Sequence, residues 1–196
     1  MRSELGVGGP ATSAEVRRSH RAPGAGIVCR RALSAGERGD HLTIRHRIFV
    51  DEQAVFSESD LDAHDAAGST IAVLGFSDRI AVGTVRLFPV DPAGGLWQGD
   101  RLAVLPAYRT LGVGAPLVRY AVATAAALGG RIMTAHIQPA NVVFFERLGW
   151  GAVGPTEIYA GLPHQPMRID LPSRAEGLAA VGRLEGGITG PGPSRR

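Results

Sequence analysis

Gly112 and Gly114 stand two residues apart where one hydrophobic pattern gives way to another. Residues 97–105 read as a strand stopped by Pro106. Residues 112–128 read as a helix, with Val113, Leu117, Ala121, Thr124 and Leu128 down one side and Gly129 with Gly130 ending it. The first N–H groups of a helix lack intrahelical acceptors and carry the positive end of the macrodipole. Such a turn can hold an anion, a pyrophosphate for example, and glycine lets it approach the backbone. Pro116 fits this placement, since its missing N–H costs nothing in a first turn. A dinucleotide-binding fingerprint does not fit: Leu117 occupies the place of its third glycine, and 131–138 contains no Asp or Glu for the ribose. The chain has no lysine, which also removes a Walker A loop.

A second cluster alternates acids with a histidine: Asp60, Asp62, His64 and Asp65, in an irregular stretch, 54–69, that carries no cation. These residue types serve as Asx turns, a helix cap or a solvated acidic face. A calcium loop would need a glycine and a distal glutamate that are missing, so no metal is expected. Arg86, inside a strand pattern at 80–88, is either a sheet-surface cation or a partner for Asp62 or Asp65. His164 sits between Pro163 and Gln165 at the start of the last strand pattern, and His136, on an apolar strand, reads as a satisfied core histidine. Cys29 is the single cysteine, which excludes an intramolecular disulfide and a cysteine zinc cage; beside Ile27 and Val28 it reads as a small buried hydrophobe.

The elements that must position these groups alternate. Strand patterns at 26–32, 70–76, 80–88, 97–105 and 131–137, with short ones near 152 and 167–171, are interleaved with helical patterns at 37–53, 112–128 and 139–148, and 89–95 reads as a loop. That order predicts one α/β (α+β) domain over 27–171, between disordered Gly/Pro/Ser/Arg-rich tails at 1–26 and 172–196. With 196 residues, 44% of them hydrophobic, the chain can bury one core. No apolar run approaches the roughly 18 residues a membrane span needs, and 1–26 lacks the apolar stretch of a secretory signal, so a cytoplasmic location is expected. All 21 cations are arginine. Eight lie in the two tails, leaving 13 against 14 acids in between, so the basic sequence pI does not indicate a folded nucleic-acid groove.

The run Arg109, Gly112, Gly114 resembles the R-x-x-G-x-G loop of the GNAT superfamily of N-acetyltransferases, and Val104, Pro106 and Tyr108 resemble the V-x-P-x-Y before it. Downstream, 138–150, with Gln138, Asn141, Phe145, Gly149 and Trp150, resembles the superfamily's later helix. Arg47, Phe49, Glu52 and Gln53, the Asp60–Asp65 cluster, and Gly161, Pro163, His164 and Met167 resemble a bacterial branch of it, most like the nitrogen-starvation acetyltransferases. Arg47, Phe49, Gly83, Arg86 and Pro89 also bear a fainter resemblance to acyl-homoserine-lactone synthases.

The resemblance implies a twisted mixed sheet of about six to seven strands flanked by helices, with acetyl-CoA wedged between the strands at 97–105 and 131–137. Arg109, Thr110, Leu111, Gly112, Val113, Gly114 and Ala115 would cradle its pyrophosphate, Val104 N–H would polarise the thioester carbonyl, and Gln138, Asn141 and Phe145 would complete the cofactor site. The acceptor would be a small-molecule amine attacking the thioester directly, with His164, His64 or Asp65 taking its proton. In many relatives a tyrosine protonates the departing thiolate; Phe145 stands in that place and has no proton to give. A CoA-binding regulator without catalysis and an acyl-homoserine-lactone-synthase-like acyltransferase, taking its acyl chain from a carrier protein, are the alternatives. Superfamily members often dimerise, which leaves a homodimer open, while no nucleic-acid or membrane partner is expected.

Overall fold

A computed structural model describes residues 26–186. The chain enters through β1 (Val28–Arg31), in which the Cys29 side chain is fully buried; burial pushes its thiol up to about 12. Helix α1 (Ala35–His46) starts on a capping box: Ser34 accepts from Glu37 N–H, while the Glu37 carboxylate accepts from Leu33 and Ser34 N–H. The expected helix at 37–53 changes pitch after His46. Arg47–Glu52 is a wider π turn in which Gln53 N–H reaches Ile48 O at 2.9 Å. This widening buries Ile48 and leaves Phe49 O to accept from both Val55 and Phe56 N–H.

Strands β2 (Ile71–Ser77) and β3 (Ile80–Asp91) form the expected hairpin, and β3 runs on through residues expected as loop. β4 (Leu96–Val104) returns antiparallel to it. After α2 (Gly114–Ala127) come β5 (Ile132–Ile137), α3 (Val142–Glu146), β6 (Gly151–Ala152), β7 (Glu157–Tyr159) and β8 (Leu162–Asp170). The sheet has eight strands in the order β1-β2-β3-β4-β5-β8-β6, with β7 as the hairpin partner of β8. Alternation sorts the core into two faces. Val73, Val85, Leu87, Met133 and Met167 pack with α2, whereas Leu74 and Ala103 pack with Ile44 and Ile48 of α1 and its π turn.

The decisive irregularity is in β4. Between the pairs Thr84–Ala103 and Arg86–Asp100, β3 has one residue and β4 has two, a bulge in which Arg101 takes φ +52°. β4 then pairs with parallel β5 only over Leu96–Gln98, and beyond Gln98 the two strands diverge.

The chain beyond 171 is not all tail. Residues 174–185 form α4 (Arg174–Glu185), started by a Ser173–Glu176 capping box and docked on α2, where the buried Tyr120 hydroxyl donates to Glu185 at 2.6 Å. Glycine, counted toward disorder in the Gly/Pro/Ser/Arg-rich tail, is what lets the helices touch: a Cβ on Gly177 would stand 2.7 Å from Ala127 N and 2.8 Å from Ala123 O. The expected tails at 1–25 and 187–196 lie outside the described residues. Gly177→Val sets a side chain against backbone that cannot yield, and should lower stability by about 2 kcal/mol in urea unfolding.

Candidate active site

Where β4 and β5 part, a cleft of about 950 Å³, counted out to its open mouths, passes through the plane of the sheet. Val118 and Ala121 of α2, with Phe145 and Trp150, line it on one face. On the other it is bordered by Phe49, Gln53 and Phe56 after α1, and by Tyr159 and His164 from the β7–β8 hairpin. Gly99 to Leu102 form one wall and Met133 to Gln138 the other. A gap reached from both faces admits two molecules that meet within the sheet.

β4 presents backbone to this gap. Leu105 N–H bonds to Val82 O on β3 at 2.9 Å. Successive strand amides point to opposite edges, so Val104 N–H and C=O face the open edge, where the carbonyl accepts from Arg109 Nε at 3.2 Å. The chain turns at Pro106–Leu111 in a 3₁₀ turn, crosses Gly112 at φ +72°, a conformation that favours glycine, and enters α2. Among the described residues no side chain caps α2, so the amides of its first turn point outward without a capping acceptor. This segment, Arg109 to Ala115, is where an anion cradle is expected. The Arg109 guanidinium turns away from it, to the Glu52 carboxylate at 2.7 and 2.8 Å.

The histidines separate clearly. His164 is buried, lines the cleft and donates Nδ1–H to Leu162 O at 2.9 Å. That bond fixes the tautomer and leaves Nε2 as an acceptor. His136 is not a satisfied core residue: it lines the cleft, pairs Nε2 with Glu157 at 2.9 Å, stacks on Tyr159, and keeps a buried Nδ1 without a partner. His64 is exposed and stacked on Phe88, with ring centroids 3.8 Å apart, and does not line the cleft. Asp65 does not line it either. Gln138, Asn141 and Phe145 do.

The family model for the acetyltransferase (GNAT) family matches residues 40–150, more than half of the chain. The chain belongs to that family. Among curated proteins it is 30% identical to the uncharacterized N-acetyltransferase YjcF of Bacillus subtilis over 67% of this chain and 91% of that one. Among solved structures, Escherichia coli ElaA matches with a TM-score of 0.64 at 23% identity, covering 72% of this chain and 98% of its own. BjaI, a CoA-dependent acyl-homoserine lactone synthase, matches at 0.63 with 18% identity, covering 85% and 92%. These structural likenesses establish the fold; with the family match, they make this GNAT protein an acyltransferase.

The acidic loop of the GNAT domain holds the site in shape. Arg45, fully buried, donates Nε to Asp60 at 2.7 Å and Nη2 to Asp65 at 3.0 Å. Arg86, equally buried, makes a fork of 2.7 Å bonds to Asp62 and of 2.8 and 2.7 Å bonds to Asp100. Arg101 in the bulge reaches Asp60 at 3.0 Å and Asp62 at 3.2 Å. Burial would raise the Asp65 carboxyl, but Arg45, the Asp62 amide and Arg86 outweigh it and hold it well below the carboxylate range. An anion so committed is a poor proton acceptor, so the expectation of Asp65 as base does not fit this geometry. Among the described residues no group of His, Cys, Asp and Glu is arranged to hold a metal ion.

Sequence reading missed Tyr159 because β7 is only three residues long. Of the three-arginine network it offered Arg86 as a partner for Asp62 or Asp65, and Arg86 meets both; it missed Arg45 and Arg101, whose partners lie 15 to 41 residues away. The one available signal was Arg86 within an otherwise apolar strand.

Replacing Arg45 with Met strands two carboxylates and should cost about 3–5 kcal/mol in urea unfolding. His41 gives a pH test. It is buried and lies 3.0 Å from Arg45 Nη1, and burial, then Arg45, push it down to about 3 from 6.5. The unfolded chain therefore takes up a proton that the folded chain refuses between those values, and stability falls as pH drops through that window. The contribution is up to about 1.4 kcal/mol per pH unit. His41→Gln should flatten the slope by that amount, read as urea midpoints between about pH 6 and 4.

Proposed function

We propose that this protein transfers an acetyl group from acetyl-CoA to the amine of a small-molecule acceptor. The observation that carries the reading is the cleft through the sheet, bounded on one side by an open strand edge and near an uncapped helix start. The amides of Gly112 to Ala115 would hold the pyrophosphate, and the open edge of β4 would pair with the pantetheine arm. Val104 N–H, on that edge, would stabilise the charge that develops on the thioester oxygen. The donor supplies an activated acyl carbon.

The attacking nitrogen must be neutral. His164 Nε2 would take a proton from the acceptor's ammonium, since its tautomer already makes it an acceptor and it borders the cleft. The N–C bond then forms, the C–S bond breaks, and the nitrogen's second proton passes to the CoA thiolate or to water. Phe145 borders the same cleft and offers no acid. A thiol of pKa about 8.5 leaves tolerably without one.

A longer acyl donor is the second reading. The α2 face of the cleft is apolar, with Val118, Ala121, Met133, Phe145 and Trp150, and could enclose a chain longer than acetyl. BjaI, of the same fold, is a CoA-dependent acyl-homoserine lactone synthase.

The reading is tested by calorimetry with acetyl-CoA and by thiol release over an amine panel, run beside octanoyl-CoA. Acetyl-CoA should bind and turn over faster than the longer donor. His164→Ala should lower kcat by about 100-fold or more and leave acetyl-CoA affinity unchanged. No binding and no turnover would end the proposal, and a preference for octanoyl-CoA would favour the second reading.

A further inference from the structure

The acceptor half of the cleft, on the α1 face, borders two ionised side chains, and both are neutralised. Asp100 receives the forked bonds of Arg86 at 2.8 and 2.7 Å. Arg101 is held by Asp60 at 3.0 Å and Asp62 at 3.2 Å. At the rim Glu157 is paired with His136 at 2.9 Å. Gln138 and Gln53 bond to each other at 3.4 Å, and what remains for a ligand is mostly rings. Phe49, Phe56 and Tyr159 are half-buried along the wall. Tyr159 lies flat on His136 at 4.0 Å and meets His164 edge-on at 5.6 Å. Strand alternation places these groups together: Met167 and Met133 point to α2, so His136 and its partner Pro166, and with them His164 two residues before, point to the α1 face.

We propose that the acceptor is a primary amine on an uncharged, ring-bearing body, in chemical class an arylalkylamine; this rests on the amine-acetylation reading above. A carboxylate would leave water to meet a wall backed by four aspartates and three arginines, and a second ammonium would find carboxylates whose oxygens already accept from arginine. An aromatic ring instead exchanges water for ring faces and edges, and its single amine is served by His164 Nε2. The rigid stack of Tyr159 on His136 presents such a ring surface without an ordering cost.

The test uses the full chain with saturating acetyl-CoA and measures thiol release with 2-phenylethylamine, spermidine, phenylalanine and a lysine-containing peptide. kcat/KM for 2-phenylethylamine should exceed each of the others by on the order of 100-fold. Phe56→Leu and Tyr159→Leu, which keep the bulk and remove the ring, should raise its KM about tenfold with acetyl-CoA affinity unchanged. If spermidine, phenylalanine or the peptide is preferred, or if acetyl-CoA binds and 2-phenylethylamine is not acetylated, the acceptor class is overturned while the donor site stands. Absence of both acetyl-CoA binding and thiol release overturns the class together with the reading beneath it.

Discussion

Three arginines locked against four aspartates govern this fold. A strand that must separate from one neighbour while staying paired to the other needs an extra residue, and here that residue is Arg101 at φ +52°. A non-glycine residue in that region costs about 1–2 kcal/mol. The conformation is stabilised by what its guanidinium reaches, Asp60 and Asp62 on the loop above, which Arg45 and Arg86 hold in turn. His41 completes the network. Thr84 donates its hydroxyl to Val73 O, so it accepts from His41 Nδ1, and His41 Nε2 is left to accept from Arg45. Every buried donor in this chain of bonds meets an acceptor, which is the condition under which buried charge is tolerated.

The consequence is chemical as well as structural. With β4 kept off β5 beyond Gln98, a strand edge that would otherwise be consumed by pairing stays open beside the start of α2. Under the proposed function, loop and helix start would supply amides to an anion and the edge would supply amides to an extended arm, while the gap joins the two faces. The aspartates that surround the acceptor side shape it, and each is already hydrogen-bonded to an arginine. Its recognition surface is consequently aromatic, and ring nitrogens of two histidines border it: Nε2 of His164, oriented by a backbone carbonyl, and Nδ1 of His136, unpartnered among the described residues.

The substitution at Phe145 fits the same picture. Its ring packs edge-on with Phe144 and Trp150 at 5.3 and 5.4 Å, closing the α2 face with apolar surface where a hydroxyl would bring a polar group. Under the proposed function, apolar surface on that side would strengthen the electrostatic action of the backbone amides at the gap.

The sequence by itself determined the alternation of elements, the glycine turn at Gly112 and Gly114, and the family. Each is local: periodicity, a glycine at a left-handed position and a proline-ended strand act within a few residues of themselves. Tertiary structure alone decided the roles of the charged residues. Asp65 and His64 sit side by side in the chain, yet one is drawn under two buried arginines and the other stacks in solvent on Phe88. Likewise α4 carries too weak a pattern to declare itself, since its stability comes from the close approach of Gly177 to α2. A charge's partner is set by which strands come to lie together, and an interval of 41 residues between Arg101 and Asp60 leaves no trace in local spacing.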